Sequence, residues 1–331
     1  MMNSKYLLYL ILCPAMAVMD ASCAQQASST VAADTITTAV TAPAGEFSRV
    51  HNPVIPVSME FCGRKIDLDQ IDYFERLDRE LTSLTYTHGT TLLMIKRANR
   101  YFPLMAPILE QNGIPSDLLY LACVESSLNP WAKSPAKAVG MWQFLATTAK
   151  EFGLEVGTEV DERYNIEKAT RAACRYFKKA LARYGGDWPS VMASYNAGMT
   201  RITDQLRDQD ADDALELWLA DETMRYTFRI MAMKMIMENP RQYGFILTAD
   251  QLYQPREVDE VKVSGPVESW AKWAAEHGTT YKLLRDENPW IRAPKLTNKL
   301  GKTYTVRVPR KDSLRRSTAK SEVYNKAWVV R

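Results

Sequence analysis

The stretch IPSDLLYLACVE at residues 114–125, which continues as SSLNPWAKSPAKAVGMWQF, determines how the whole chain is interpreted. At helical spacing Leu118 and Leu121 share one face with Glu125, because residues three, four and seven apart lie on the same side of a helix. A carboxylate on such an apolar face is costly unless it is paired or protonated. Glu125 is therefore the first candidate for a functional residue.

The composition is that of a soluble globular protein. The chain has 331 residues, of which 46% are hydrophobic and 24% charged, and this length allows two or three domains. The formal net charge of +3 is too small to indicate nucleic-acid binding. The sequence contains no cofactor motif and no metal-type spacing of cysteine or histidine, so we expect neither a cofactor nor a metal.

The first 24 residues are typical of a signal peptide. Lys5 precedes an apolar run at 6–19, which is too short to span a bilayer with ease. The small residues at its end permit cleavage after residue 24, and the alternative is lipidation of Cys23, which would tether the chain to a membrane. Either interpretation predicts export to the periplasm or cell envelope. Residues 25–65 are rich in Ala, Ser, Thr, Val and Pro and are interpreted as a linker.

The middle of the chain is predicted to be helical. Residues 66–112 are interpreted as N-terminal helices that pack on a catalytic domain at 113–245. We expect Pro103 and Pro107 to bend or restart a helix, because proline cannot donate the helical hydrogen bond. A further helix is expected over 140–152. Helix N-caps are expected at Asn165 and Asp187.

A smaller module is predicted at residues 256–309. A valine-rich run at 257–263 and the alternation of Tyr304, Val306 and Val308 indicate two strands, with two short helices between them. The expected fold class is therefore mainly α, with a small α+β module of order βααβ after the helical domain. The basic tail at 310–331 is interpreted either as solvated or as contacting an anionic envelope polymer or lipid head groups.

The surroundings of Glu125 favour general-acid chemistry on a sugar polymer. Cleavage of a glycosidic bond needs a neutral carboxylic acid, and an apolar face near a helix C-terminus disfavours the charged form. The usual second carboxylate of a glycosidase is not visible locally, because the next acidic residue is Glu151 and Asp117 lies two turns back. An enzyme with one carboxylate must find its nucleophile in the substrate.

Three motifs in this order resemble those of one enzyme family: ESSLNPWAKSPAKAVGMWQF at 125–144, SYNAG at 194–198 and ETMRY at 222–226. They resemble the goose-lysozyme-like catalytic domain of family 1 lytic transglycosylases. The upstream run RYFPLMAPILEQNGIPSDLLYLACVES and the Trp-Gln after Gly-Met are most similar to the membrane-bound lytic murein transglycosylase D group. The resemblance covers about residues 90–240 and implies a lysozyme-like helical fold.

The resemblance implies non-hydrolytic cleavage of the β-1,4 bond between MurNAc and GlcNAc in peptidoglycan. Glu125 would protonate the leaving oxygen while the substrate N-acetyl oxygen supports the anomeric carbon. Glu125 would then take the proton of the C6 hydroxyl, which closes a 1,6-anhydro ring. The family's substrate-binding positions correspond here to Ser134, Gly140, Met141, Gln143, Tyr195, Asn196, Glu222 and Tyr226.

Several of these positions have a structural alternative. Ser134 is also a plausible turn residue, and Gln143 an exposed helix residue. Tyr195 is a core tyrosine or a residue that lines the cleft with Asn196. Trp142 adds a flat ring that either stacks on sugar or packs in the core.

The C-terminal residues 267–309 resemble a LysM domain, which binds N-acetylglucosamine chains. The matching parts are an alanine-rich helix, His277-Gly278-Thr279, Asn288-Pro289 and a closing strand. The usual opening strand is missing or altered, so glycan binding and a purely structural role both stay open for this module.

Two alternatives to a transglycosylase remain from the sequence. One is a hydrolytic muramidase or chitinase on the same fold, in which a distant carboxylate such as Glu222 holds a water. The other is a non-catalytic peptidoglycan-binding protein, against which the intact acid and cleft motifs argue. In each case the expected partner is the peptidoglycan glycan strand.

Overall fold

The computed structural model describes residues 51–316 and 321–330. The predicted signal peptide, the possible lipidation site at Cys23 and most of the predicted linker lie outside these residues. Within the described ranges, every helix is either too short or too polar to cross a membrane.

The described chain opens with a β-hairpin. Strand β1 (Ser58–Phe61) pairs antiparallel with β2 (Arg64–Asp67). The side chains of Phe61 and Ile66 are buried in the main core. The predicted linker is therefore wrong over its last residues, because strands of four residues are too short to produce a visible alternation of polar and apolar positions.

Two long helices follow the hairpin. Helix α1 (Ile71–Tyr86) leads almost directly into α2 (His88–Gln111), which runs unbroken through Pro103 and Pro107. The expected restart at these prolines is wrong. Both prolines are exposed and lie one turn apart, while the opposite face of α2 buries four large apolar side chains, and this burial offsets the lost hydrogen bonds. These buried residues are Phe102, Met105, Ile108 and Leu109.

The remaining helices complete a helical body, by which we mean the hairpin and helices α1 to α8. Its further helices are α3 (Leu118–Ser126), α4 (Ala146–Glu151), α5 (Ile166–Arg183), α6 (Trp188–Ala197), α7 (Met199–Asp208) and α8 (Asp221–Glu238). Helix α8 packs against α1, α3 and α6 and so occupies the centre of the body. The N-caps expected at Asn165 and Asp187 are confirmed, since each side chain accepts the backbone N–H three residues ahead.

The helix predicted over 140–152 is shorter than expected. Residues 140–144 form a turn, and only Ala146–Glu151 is helical. Gly140 (φ 79°) and Gln143 (φ 47°) adopt the left-handed region, which interrupts a right-handed helix. The apolar residues that suggested a helical period here instead pack around the turn.

The small C-terminal module has the predicted order βααβ. It consists of β3 (Val258–Val263), α9 (Trp270–Glu276), α10 (Tyr281–Glu287) and β4 (Tyr304–Pro309), with β3 and β4 antiparallel. Its core includes Val139, Val160 and Tyr164 of the helical body, so the module is packed on the body. The predicted fold class, mainly α with a small α+β module, is confirmed.

The described part of the basic tail is not simply solvated. Trp328 is 1% exposed, and its indole N–H donates to the carbonyl of Met237 at 2.6 Å. Its ring also packs edge-on against Phe102 of α2. The chain therefore returns from the C-terminal module to the helical body at Trp328, which corrects the expectation of a solvated tail for this residue. Lys311, Arg315 and Arg316 are exposed, as that expectation had it.

Candidate active site

Glu125 lies in the last turn of α3 and lines an open cleft of about 1030 Å³. Helix α3 ends there because Ser127 and Leu128 take left-handed backbone angles. Leu118 and Leu121 on the same face are fully buried, and Glu125 itself is half-buried. Glu125 thus shares its helix face with buried leucines, as the helical spacing predicts, and it also borders the cleft. We call this depression the Glu125 cleft.

Tyr226 reaches Glu125 from the central helix α8. Its hydroxyl donates a hydrogen bond to Oε1 of Glu125 at 2.5 Å, although the two residues are 101 positions apart. The ring of Tyr226 is 2% exposed, so packing fixes the direction of this donor. The structure therefore brings together the first and the last of the three sequence motifs at one carboxylate.

Two further carboxylates, Asp221 and Glu222, line the same cleft from the start of α8. Burial raises the pKa of the Glu222 carboxyl above its ordinary value, while the nearby cations Arg229 and Arg225 oppose this shift. Glu222 lies one helical turn before Tyr226, on the same side of α8. The cleft thus holds two further acidic groups that are remote from Glu125 in the sequence.

A buried ion cluster supports this wall of the cleft. Glu80 on α1 is 1% exposed and accepts from Nε of Arg225 at 2.5 Å and from Nε of Arg229 at 2.8 Å. Both arginines line the Glu125 cleft. The sequence analysis missed all three residues, because a helical period shows that Glu80 faces the core but carries no information about partners about 150 positions away.

The turn at 140–144 forms another part of the site. A Cβ added to Gly140 would lie 2.1 Å from the carbonyl oxygen of Arg163, so only glycine fits this position. The guanidinium of Arg163 in turn donates to the carbonyls of Lys137 and Phe144, both at 3.1 Å. Asp161 holds Arg163 through two hydrogen bonds of 2.9 and 2.8 Å. The sequence analysis also missed Arg163.

Ser134 and Gln143 both line the Glu125 cleft. The Ser134 hydroxyl oxygen accepts from the Ala138 backbone at 3.1 Å, so this residue is also the turn residue of the structural alternative. Gln143 is buried and not an exposed helix residue. Its amide nitrogen donates to the carbonyl of Gly140 at 2.8 Å, which fixes the side chain across the turn.

Tyr195, Asn196 and Met141 are buried and are not among the residues that line the cleft. The Tyr195 hydroxyl donates to the carbonyl of Trp142 at 2.6 Å, and Asn196 Oδ1 accepts from Thr223 at 2.9 Å. These contacts hold the turn and the start of α8 in place. The expectation that Tyr195 and Asn196 line the cleft is corrected: they support its walls.

Of the two tryptophans near the site, Trp131 and not Trp142 reaches the cleft. Trp142 is fully buried and donates its indole N–H to Thr170 at 2.9 Å, so it packs in the core. Trp131 is 38% exposed and lines the cleft. The sequence analysis did not single out Trp131.

Two family models match the chain. Residues 105–217 match the transglycosylase SLT domain, and residues 259–312 match the soluble lytic transglycosylase C-terminal LysM-like domain. The first match contains Glu125 and the turn at 140–144, and the second contains the whole βααβ module apart from the first residue of β3. The chain therefore carries an SLT transglycosylase domain followed by a LysM-like domain.

Two of the relatives of this chain are described as transglycosylases. Over 256 residues the chain is 31% identical to the membrane-bound lytic murein transglycosylase D of Escherichia coli (strain K12). The matched region covers 75% of this chain and 54% of that protein. It is 36% identical over 105 residues to the peptidoglycan transglycosylase gp16 of Escherichia phage T7, covering 31% of this chain and 8% of that protein. The chain spans about half the length of the transglycosylase D that it matches.

Among solved structures, an inactive mutant of the lytic transglycosylase Slt from Pseudomonas aeruginosa matches 41% of this chain and 24% of its own. The TM-score is 0.36 and the sequence identity 20%.

Proposed function

We propose that this protein is a peptidoglycan lytic transglycosylase, which cleaves the β-1,4 bond between MurNAc and GlcNAc without water and leaves 1,6-anhydro-MurNAc ends. The observation that carries the proposal is the half-buried Glu125, which lines an open cleft and accepts a hydrogen bond from Tyr226. The SLT domain match and the transglycosylase relatives support the same activity.

Glu125 acts first as an acid and then as a base. Its proton goes to the glycosidic oxygen, and the C1–O4 bond breaks to release the GlcNAc end. The substrate N-acetyl oxygen stabilises the positive charge at C1. The carboxylate then takes the proton of the C6 hydroxyl, and the new C1–O6 bond closes the anhydro ring, so Glu125 regains its starting state. The Tyr226 hydroxyl orients the carboxyl group and stabilises the anionic form between the two steps.

The cleft walls position the sugar. Ser134, Gln143 and Glu222 line the cleft. Ser134 and Gln143 are proposed to contact the N-acetyl group and the sugar ring, and Glu222 to bind sugar hydroxyls. Gly140, Met141, Tyr195 and Asn196 act indirectly, by holding the turn and the adjoining helix ends.

Hydrolysis on the same fold is a second candidate, because Glu222 and Asp221 line the cleft that contains Glu125. A carboxylate there would activate a water on the opposite face of the sugar. The two reactions give different products from the same substrate.

Mass spectrometry of the muropeptides after digestion of purified peptidoglycan separates these reactions. Transglycosylation gives anhydro ends, whose mass is one water lower than that of hydrolytic ends. Reducing ends would overturn the proposal in favour of hydrolysis. If the wild-type protein gives no products but still binds glycan in a pull-down assay, it is a non-catalytic binding protein.

Glu125→Gln should abolish cleavage and leave thermal stability near that of the wild type, and anhydro products from this variant would exclude Glu125 as the acid.

Because the proposed substrate is peptidoglycan, we expect the protein to act in the cell envelope. Lipidation of Cys23 would tether it to a membrane, and cleavage after residue 24 would release it. The mass of the mature N-terminus, measured on protein from membrane and soluble fractions, distinguishes the two. A Cys23→Ala variant that stays in the membrane fraction would contradict the tether.

The LysM-like module is proposed to bind the glycan strand. This is tested by pull-down with insoluble peptidoglycan, using the intact chain with wild-type and substituted modules.

A further inference from the structure

A second cavity, of about 330 Å³, lies between the helical body and the LysM-like module, and we call it the interdomain cavity. One of its walls is helix α2, and the opposite wall is formed by α10 and β4 of the module. Arg97, Asn129 and Trp131 line both this cavity and the Glu125 cleft. The two spaces are therefore neighbours that share a boundary of three residues.

The two walls differ in how their charges are paired. On the module side, Arg256 pairs with Glu287 at 2.8 Å, and Arg307 pairs with Glu167 of the helical body at 3.0 Å. On the α2 side, Arg97 and Arg100 have no carboxylate within 4.0 Å among residues 51–316 and 321–330.

The two arginines of α2 still have donors to offer. Nη1 of Arg97 donates to the carbonyl of Ser127 at 3.0 Å, and Nε of Arg100 donates to the carbonyl of Gln254 at 2.9 Å. A guanidinium has five N–H donors in a planar fork, which matches a carboxylate. Arg100 also lies 5.4 Å from the ring centroid of Tyr253 and hydrogen-bonds Tyr101. The α2 wall therefore presents two half-buried cations whose contacts are to neutral groups.

Trp131 lies at the boundary between the two spaces. The guanidinium carbons of Arg285 and Arg292 lie 5.9 and 5.6 Å from its ring centroid, and both arginines belong to the LysM-like module. The module thus helps to hold the ring at the edge of the cleft. A sugar that stacks on Trp131 would place its substituents next to the interdomain cavity.

We propose that the interdomain cavity binds the peptide branch of the glycan substrate, with carboxylates of the peptide paired to Arg100 and Arg97. This inference rests on the proposed function, since only a strand in the Glu125 cleft would present such a branch at Trp131. A volume of about 330 Å³ is at the lower end of small-ligand sites and suits a few amino acid residues rather than a continuing glycan strand.

The test compares one glycan with and without its peptides. The variant is Arg100→Gln, because Arg100 lines the interdomain cavity and not the Glu125 cleft. The substrates are peptide-bearing glycan strands and the same strands after an amidase has removed the peptides. We expect kcat/KM on peptide-bearing strands to fall about tenfold, which corresponds to the loss of one charge-assisted pair, and to stay within about twofold on bare strands.

Two further variants serve as controls. Lys96→Gln removes the same charge from the neighbouring turn of α2 but outside the interdomain cavity, and it should behave like the wild type on both substrates. Arg100→Lys keeps the charge without the planar fork and should recover part of the activity on peptide-bearing strands.

Each other outcome overturns the inference. An equal loss on both substrates means that the cavity binds the glycan itself or that Arg100 only supports the fold. No loss on either substrate means that the cavity takes no part in recognition.

Calorimetry with a synthetic stem tetrapeptide that has free carboxylates is independent of catalysis. We expect the tetrapeptide to bind the wild type and not Arg100→Gln, and no binding to the wild type overturns the inference. If the wild type forms no anhydro sugar, the proposed function fails, while the calorimetry still decides the peptide site.

Discussion

The hydroxyl of Tyr226, on the central helix α8, donates a 2.5 Å hydrogen bond to Oε1 of Glu125 at the end of α3. Tyr226→Phe removes this donor and keeps the ring, which is buried in the core. We expect kcat to fall by roughly tenfold to a hundredfold because the carboxylate loses a charge-assisted hydrogen bond. Steady-state release of anhydro ends measures this. Tyr243→Phe, another buried tyrosine, is the matched control, and an equal loss there would assign the effect to packing.

Glu80 is the next residue to test, because it is buried between Arg225 and Arg229 of the cleft wall. Glu80→Gln keeps the volume but leaves Arg229 without its anion and Arg225 with only Asp221, at 3.6 Å. We expect the free energy of unfolding to fall by about 3 kcal/mol, as for other broken buried pairs, and KM to rise as the arginines reorient. Urea denaturation and kinetics measure the two effects. The exposed Glu75→Gln on the same helix should change neither, and a stable Glu80→Gln protein with normal KM would contradict the role of the cluster.

Gly140 tests how closely the turn at 140–144 must approach Arg163. In Gly140→Ala the new methyl group would lie 2.1 Å from a backbone oxygen, and the left-handed φ of 79° adds strain. We expect a loss of roughly 2 kcal/mol or more, measured by thermal or urea unfolding, together with reduced activity as Gln143 moves. Gly89→Ala in α2 is the control, since nothing lies within 4 Å of its added Cβ. A Gly140→Ala protein as stable as that control would mean that the turn adjusts at low cost.

These residues also show what the sequence reveals and what it does not. The position of Glu125 was predictable, because a helical period identifies which side chains share a face. The closing strand of the βααβ module was also predictable, because Tyr304, Val306 and Val308 alternate with polar residues as in a half-buried strand. Both signals are local in the sequence.

The features that were missed depend on distant parts of the chain. The Glu80 cluster joins two helices about 150 positions apart, and the tight fit at Gly140 depends on where Arg163 lies. Similarly, helix α2 continues through two prolines only because its other face is buried. Propensity and period describe one segment at a time, so they cannot anticipate tertiary contacts that override them.

Glu222 links stability to pH in a direction opposite to that of most carboxylates. Burial raises its pKa in the folded protein, so the folded state binds the proton more tightly than the unfolded state does. Its contribution to stability is therefore present below the ordinary pKa of a glutamate and is lost as the pH rises through the folded value. Glu222→Gln resembles the protonated residue, so its Tm should match the wild type in acid and exceed it at neutral pH.

The same variant separates the two candidate reactions at this carboxylate. If Glu222 only binds sugar, Glu222→Gln still forms anhydro ends, with a higher KM. If Glu222 were the base of a hydrolytic reaction, the wild type would form reducing ends, and the variant would lose them. Glu216→Gln, which changes an exposed glutamate just before α8, is the control for both the Tm series and the kinetics. A Tm difference that does not grow with pH would show that burial does not disfavour the charge on Glu222, and it would remove the physical reason for treating this residue as a second titrating group in the cleft.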